Sequence, residues 1–316
     1  MTTISRRDFL KLSGSASLAL AGVRYAAAIE PIKRTGPPRL RLSLAAYSFR
    51  SFFTASNRPT KPSKTPPLPI DSARQMDLFK FVDFCAEHGC EGTELTSYYF
   101  PKELTDDYLV KLRGHVAKRG LVCSGTSVGN NFTVPLGEAR DKQIADTKEW
   151  IDHAAVLGAP HIRVFAGSTK GIPFEEQQKL CIAALEECCD YAGKKKIMLG
   201  VENHGGIVAE PEGVLAIMKA VKSPWCGVNL DTGNFHTDDP YGDLAKCAPY
   251  AVNVQIKADI RRKNAKENEP VDLARIVKIL RDANYQGFVA LEYEAKEDPW
   301  TAVPRWLKQM KDAFAA

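Results

Sequence analysis

The sequence predicts an α/β fold, a single (β/α)8 TIM barrel, on three observations. Short apolar runs alternate with amphipathic helical stretches from Leu40 onward, eight times over. Several of the later runs end abruptly in polar groups: Glu202 after Val201, Asp231 after Leu230, Gln255 and Lys257 around Ile256, and Glu292 after Leu291. Polar residues at the C-terminal ends of successive strands describe the mouth of a parallel barrel. Finally, the alternative doubly wound sheet would carry a Gly-x-Gly-x-x-Gly turn after an early strand, and the chain has none.

The elements follow in order. Leu40–Tyr47 reads as the first strand, and Phe49–Ile70, proline-rich and without apolar period, reads as a long irregular loop placed to cover the mouth. Asp77–His88 carries Leu78, Phe81, Val82 and Cys85 on one helical face and stops at Gly89. Glu91–Leu95 is a strand; Thr105 caps a helix with Leu109, Leu112 and Val116 inward, ended by Gly120. The alternation continues with strands at Leu121–Thr126, His161–Phe165, Ile197–Glu202, Gly227–Asp231, Val252–Lys257 and Phe288–Glu292. Helices are expected at Asp141–Leu157, Glu175–Ala192, Pro211–Val221, Asp243–Ala248, Val271–Asn284 and Trp300–Ala315.

The first 28 residues stand apart. Ser5-Arg6-Arg7-Asp8-Phe9-Leu10-Lys11 precedes a mildly apolar run from Leu12 to Val23 and then Ala26-Ala27-Ala28. This is the pattern of a twin-arginine export signal, which places the protein in the periplasm or outside a bacterial cell. An N-terminal amphipathic helix or anchor is the alternative, but the run is shorter than the ~20 residues of a membrane span. Residues 29–39 read as a linker and 40–316 as the barrel domain. Residues 1–28 carry Arg6, Arg7, Lys11 and Arg24 against Asp8, so without them the formal charge of +5 falls to +2. That near-neutral balance gives no reason to expect a nucleic-acid partner. The eight cysteines lie mostly inside helical or apolar strand patterns with no Cys-x-x-Cys, which argues against a disulfide framework or a structural zinc site. Nothing in the pattern fixes an oligomeric state, and homo-oligomerisation stays open.

Strand parity sharpens the ring. Asn253, Gln255 and Lys257 share one face of their strand and Val252, Val254 and Ile256 the other; helices outside a barrel require the apolar face. The same rule directs Met198, Gly200 and Glu202 inward, with Gly227, Asn229 and Asp231, then Phe288, Ala290 and Glu292. His161 and Arg163 share a face of the fourth strand, and Glu94 closes the second. One such acid alone would read as a helix cap or a salt-bridge partner, as Asp231 to Lys257. Three converging carboxylates repel and titrate upward unless a cation holds them, and oxygen-rich ligation suits Mn2+ or Mg2+.

These residues resemble a known family, the xylose-isomerase-like barrels grouped as sugar phosphate isomerases/epimerases. The resemblance runs through Gly92-Thr93-Glu94-Leu95, Val201-Glu202-Asn203-His204-Gly205-Gly206, Leu230-Asp231-Thr232-Gly233-Asn234, Asn253-Val254-Gln255-Ile256-Lys257-Ala258-Asp259 and Leu291-Glu292-Tyr293. It implies a xylose-isomerase-like barrel with a divalent metal ion, Mn2+ favoured over Mg2+, Co2+ or Zn2+, on Glu202, Asp231, Gln255 and Glu292. Gln255 departs from the pattern, where many relatives carry histidine. Arg261, six residues beyond Gln255, falls where sugar epimerases of this group carry a substrate-binding arginine; its alternative is one charge of the basic loop Arg261-Arg262-Lys263. The related endonuclease IV barrels bind three zinc ions through many histidines, whereas this chain has six, with His88, His115 and His153 on outer helices.

The implied chemistry is metal-assisted removal of a proton beside a carbonyl, with Glu202 and Glu292 as base and acid. His204 is expected to position a sugar hydroxyl or act as a second acid, or else to hydrogen-bond a ligand. Glu94, Arg163, Asn234, His236, Lys257 and Arg261 are expected around the substrate, with Tyr47, Tyr98 and Phe165 lining the pocket. Export argues for an unphosphorylated sugar or keto-sugar, since no glycine-rich phosphate cradle follows the seventh or eighth strand. An isomerase or epimerase is the first reading. A lyase cleaving 3-keto-glycosides by β-elimination and a non-catalytic exported sugar-binding barrel are the alternatives.

Overall fold

In the computed structural model, which describes residues 29–53 and 71–316, eight parallel strands close into a barrel. They are β1 (Arg39–Ala45), β2 (Gly92–Thr96), β3 (Val122–Ser127), β4 (His161–Phe165), β5 (Met198–Glu202), β6 (Cys226–Asp231), β7 (Ala251–Ile256) and β8 (Gln286–Leu291). Each strand pairs with its neighbour in sequence, and β8 returns to β1 with Arg39 opposite Gln286. The α/β barrel expected from the sequence is the fold.

Helices α1 (Leu78–Glu87), α2 (Asp106–Lys118), α3 (Glu138–Leu157), α4 (Phe174–Lys194), α5 (Pro211–Ala220), α6 (Pro240–Cys247), α7 (Leu273–Asp282) and α8 (Pro299–Ala315) pack outside. Their starts are chemically marked. Asp77 Oδ1 accepts from Lys80 N (2.8 Å), Thr105 Oγ1 from Tyr108 N (3.3 Å) and Asp272 Oδ1 from Arg275 N (3.0 Å), each satisfying an amide the first turn leaves free. The outward strand residues Leu199, Val201, Val228, Leu230, Val254, Ile256, Val289 and Leu291 are buried against those helices. That burial is the principal favourable contribution to the fold.

Three expectations change. Val252, assigned to the outer face with Val254 and Ile256, is turned inward at the barrel floor. The β6–β7 register shifts between Val228 and Asn229, and a Cβ on inward-facing Gly227 would stand 2.5 Å from Val252 Cγ1. A bulge places two consecutive residues where alternation predicts one. The 29–39 segment is docked: Ile29 N donates to Met218 O (3.1 Å), Ile32 N to Pro249 O (2.9 Å), and the Arg34 guanidinium to Ala251 O. The basic stretch around Arg261 belongs to a short antiparallel ribbon pairing Asp259–Ile260 with Glu269–Pro270.

Residues 1–28, expected from sequence to be an export signal, and most of the proline-rich loop, residues 54–70, fall outside the described residues. All eight cysteines are buried free thiols. Burial pushes the Cys123 thiol up to about 12, so it is inert at neutral pH. Among the described residues no helix is long and apolar enough to cross a membrane.

Inside the barrel, Gly125 on β3 leaves room for the neutral ring of His161, which burial lowers to about 4. A Cβ there would stand 2.0 Å from His161 Cε1. Gly125→Ala should therefore destabilise the barrel by about 1–3 kcal/mol in urea unfolding, and His161→Ala in the same chain should recover part of the loss. An unchanged midpoint for the single variant would show that the floor is loosely packed.

Candidate active site

Two layers of polar side chains fill the upper barrel. The lower is a belt of one carboxylate and three amides. Gln255 Nε2 donates to Glu94 Oε1 (2.6 Å), and Asn253 Nδ2 donates to Glu94 Oε2 (2.8 Å) and Asn229 Oδ1 (2.8 Å). Asn229 Nδ2 in turn donates to Gln255 Oε1 (2.7 Å), closing the circuit. Residues from β2, β6 and β7 are thereby tied across the axis. All four are almost fully buried, where an unpaired amide or carboxylate would be costly. Burial, with the nearby Glu292 charge, pushes the Glu94 carboxyl up to about 7.

Above the belt stand the acids that close β5, β6 and β8. Glu202 Oε2 lies 2.8 Å from Arg163 Nε, and its Oε1 accepts from Asn234 Nδ2 (3.0 Å). Asp231 Oδ1 accepts from Gly233 N (2.8 Å), while Oδ2 is buried without a hydrogen-bond partner, 3.2 Å from the poorly aligned Lys257 Nζ. The Lys257 ammonium also contacts Glu292 Oε2 and Glu294 Oε2. Burial works against this ammonium, but Asp231, Glu292 and Glu294 outweigh it and hold its pKa well above the usual lysine range. Burial would likewise raise Glu292, yet Lys257 keeps it below the ordinary glutamate value.

Asp231 is raised, chiefly by burial. Glu202 is pushed up to about 7, burial exceeding the opposing pull of Arg163. A carboxyl near 7 exchanges a proton readily at neutral pH. The Arg163 guanidinium is itself placed by Val128 O (2.9 Å) and lies 4.0 Å from the Phe165 ring centroid. His204 stacks at a tilt on Phe165, 4.9 Å between centroids.

The mouth opens into a cavity of about 720 Å³ whose walls include Arg163, Glu202, His204, Lys257, Glu292 and Glu294. Of the expected site residues, these walls bring together Arg163, Glu202, His204, Lys257 and Glu292. Asp231, Glu94 and Gln255 lie in the ring and the belt, and Asn234 holds Glu202. His236 is exposed on the loop after β6, and Arg261 is exposed beyond the ribbon strand; neither lines the cavity. Glu294 was not singled out from sequence, and Asn229 and Asn253 were directed inward by parity without being given a role. Glu294 shares the parity of Glu292, a signal available in Glu292-Tyr293-Glu294.

The donor set suits a hard divalent cation in part. Glu202, Asp231 and Glu292 interact mutually, and three carboxylates make an oxygen-donor set of the kind a hard divalent ion takes. Gln255 fits less well, because its oxygen accepts from Asn229 and its nitrogen donates to Glu94. Among the described residues no group of three His, Cys, Asp or Glu stands disposed to hold a metal as it is. The Lys257 ammonium takes up the oxygens that such an ion would use.

A family model described as xylose isomerase-like TIM barrel matches residues 82–310. The chain belongs to that family. No curated protein matches it in sequence. Solved structures do match in fold. The apo 3-keto-D-glucoside 4-epimerase YcjR from E. coli aligns at 15% identity and TM-score 0.64, over 87% of this chain and 100% of that one. D-psicose 3-epimerase from Clostridium cellulolyticum H10, solved with D-tagatose, aligns at 15% identity and TM-score 0.63, over 87% and 96%. An IOLI protein with a bound zinc atom aligns at 16% identity and TM-score 0.66, over 86% and 96%. At these identities the likeness is one of fold.

The raised carboxyls make stability depend on pH in a defined direction. Folded Glu94 and Glu202 keep their protons to about pH 7, whereas unfolded they release them near 4.5. The folded chain thus binds more protons across that window, and the associated stability is lost as pH rises through 7. Buried His161 acts oppositely only below its ordinary value of 6.5. In chelator, the melting temperature should fall between about pH 6.5 and 8, with a shallower fall in Glu94→Gln. A melting temperature rising across that range would contradict the burial of these acids in protonated form.

Proposed function

We propose that this protein is a divalent-metal-dependent isomerase or epimerase acting on an unphosphorylated sugar or keto-sugar by removal of a proton beside the carbonyl. One observation carries the reading: the buried Glu202 carboxyl, its oxygens beside Arg163 and Asn234, faces the cavity next to the Lys257–carboxylate cluster. Glu202 takes the α-proton as general base and returns one from the same position. Arg163 and Asn234 fix its two oxygens, so the proton is met in one geometry. The ammonium of Lys257 at the cavity wall faces the negative charge that develops on the substrate oxygen. Glu292, held ionised beside Lys257, accepts a substrate hydroxyl. His204, exposed on the cavity wall, is placed to position another.

A divalent ion on Glu202, Asp231 and Glu292, in competition with Lys257 for the same oxygens, would polarise the carbonyl when bound. The carboxylate-rich set favours Mn2+ or Mg2+. One argument supports an unphosphorylated substrate: the twin-arginine pattern of residues 1–28, which we infer to direct export. A β-eliminating lyase on a 3-keto-glycoside would use the same base, and a cavity lined beyond the acids by Lys102, Asp146, Glu149, Trp150 and His153 leaves room for an aglycone.

Proton NMR in D2O with candidate keto-sugars tests the reading. Deuterium entering the α-position supports enolisation, and release of an aglycone supports the lyase. Glu202→Gln should lower the exchange rate by about 10²–10⁴-fold with the fold intact by circular dichroism. Retained exchange would remove Glu202 as the base. Binding without any exchange by the wild type would point instead to a sugar-binding barrel.

Lys257 supplies a second check, read by calorimetry. Replacing the ammonium by an isosteric apolar chain in Lys257→Met removes a cation from among three carboxylates, so Mn2+ affinity should rise by about tenfold or more. Equal or weaker affinity would show that the ion does not share those oxygens.

A further inference from the structure

The cavity does not end at the acid ring. From Arg163 and Glu202 it runs past Tyr98 into a second arm between the loop after β2 and the flank of α3, walled by Lys102, Asp146, Glu149, Trp150 and His153. Tyr98 lines the cavity between these two sets of residues. Its hydroxyl is hydrogen-bonded with Arg163, and its ring packs so close to Gly129 that a Cβ there would lie 3.1 Å away. Asp146, Glu149, Trp150 and His153 recur at three- and four-residue spacing, so α3 presents them on one face.

The second arm combines two chemistries. Trp150 is half-buried, braced edge-on by Phe100 (5.3 Å between centroids) and by His153 (5.1 Å). Around it stand a cation and two carboxylates from Lys102, Asp146 and Glu149. His153 lies 3.9 Å from Glu149. An aromatic wall with polar groups around it suits a ring whose faces are C–H and whose edges are hydroxyls. Size agrees. One hexose displaces about six waters, about 180 Å³ at ~30 Å³ each, whereas the cavity holds about 720 Å³.

We propose that the second arm is a subsite for a second sugar ring, and that the substrate is a glycoside of two sugars whose oxidised ring occupies the acid ring while the other stacks on Trp150. This rests on the sugar-enolising reading above for what happens at the first ring, but not for the binding of the second. Lys102 and Glu149 hydrogen-bond the hydroxyls of the outer ring, and Tyr98 sets the spacing between the two. Trp150 touches no reacting atom; it is a specificity residue.

The test uses the full chain and two matched pairs of probes. The first pair is methyl 3-ketoglucoside and a 3-ketoglucoside whose aglycone is a second glucose, compared by α-proton exchange in D2O. Wild type should favour the two-ring compound by at least tenfold in kcat/KM. Trp150→Ala should raise KM for that compound at least tenfold, leave kcat nearly unchanged, and leave the one-ring compound unaffected; Trp150→Phe should restore most of the preference. The second pair, methyl glucoside and cellobiose, is titrated calorimetrically and needs no turnover. Tighter binding of cellobiose that is lost in Trp150→Ala supports the subsite even if no exchange occurs, in which case only the enolising reading falls. Equal effects of Trp150→Ala on both members of each pair, or no preference in the wild type, would overturn the subsite. Glu149→Gln, an exposed change that leaves the Trp150–Phe100 packing alone, should weaken cellobiose binding in the same selective way if the fold of Trp150→Ala is in question.

Discussion

A buried lysine set among carboxylates governs the upper end of this barrel. Lys257 enters from the end of β7 with its ammonium near Asp231, Glu292 and Glu294, and Arg163 stands beside Glu202. Two cations therefore serve four acids, and the arrangement stays short of positive charge. Burial raises Glu202 and Asp231 while Lys257 lowers Glu292, so neighbouring carboxyls at one mouth differ in protonation. Such a division separates a group able to trade a proton from groups that hold charge. It also explains why a divalent ion bound at these oxygens would compete with the lysine: each would answer the same deficit.

The belt beneath makes that arrangement rigid. Glu94 accepts from Gln255 and Asn253, which are joined through Asn229, so three strands are cross-linked one layer below the acids. Each amide nitrogen of the belt donates to an oxygen, the buried Asn253 Oδ1 alone in the belt being without a hydrogen-bond partner, and a hydrogen-bonded circuit of this kind restricts side-chain positions. The amide of Gln255 completes the circuit, donating to Glu94 and accepting from Asn229. Gln255 and the buried acid at Glu94 are thus parts of one arrangement.

Barrel enzymes place their chemistry at the C-terminal ends of the strands, and the cavity here opens at that end. Its extension along α3 is a property of this chain's own loops. Loops and helix flanks carry specificity on a barrel because the strands fix the reacting groups while the surroundings vary. The split between a charged inner arm and an aromatic outer arm matches a substrate with two chemically different ends.

The sequence by itself determined the barrel and the ring at its mouth. Alternation of apolar runs with helical periods is a local signal, and residue parity along a strand fixes which side chains meet at the axis, so Glu202, Asp231, Gln255, Lys257 and Glu292 were legible in one dimension. Thr105 as a helix cap was legible for the same reason. Tertiary structure alone decided who partners whom. That Gln255 joins Glu94 from a strand 161 residues away in sequence, and that Lys257 stands between Asp231 and Glu292, depends on strand register around a closed sheet. The bulge that turns Val252 inward breaks the alternation on which parity rests, and nothing in Ala251-Val252-Asn253 announces it. Trp150 and His153 read as ordinary members of an amphipathic outer helix, because a helix face shows its apolar side in sequence but not the loop that arches over it. Exposed Arg261 and His236 illustrate the converse: spacing from a strand end sets distance along the chain, and only the path of the following loop sets whether that distance leads to the cavity.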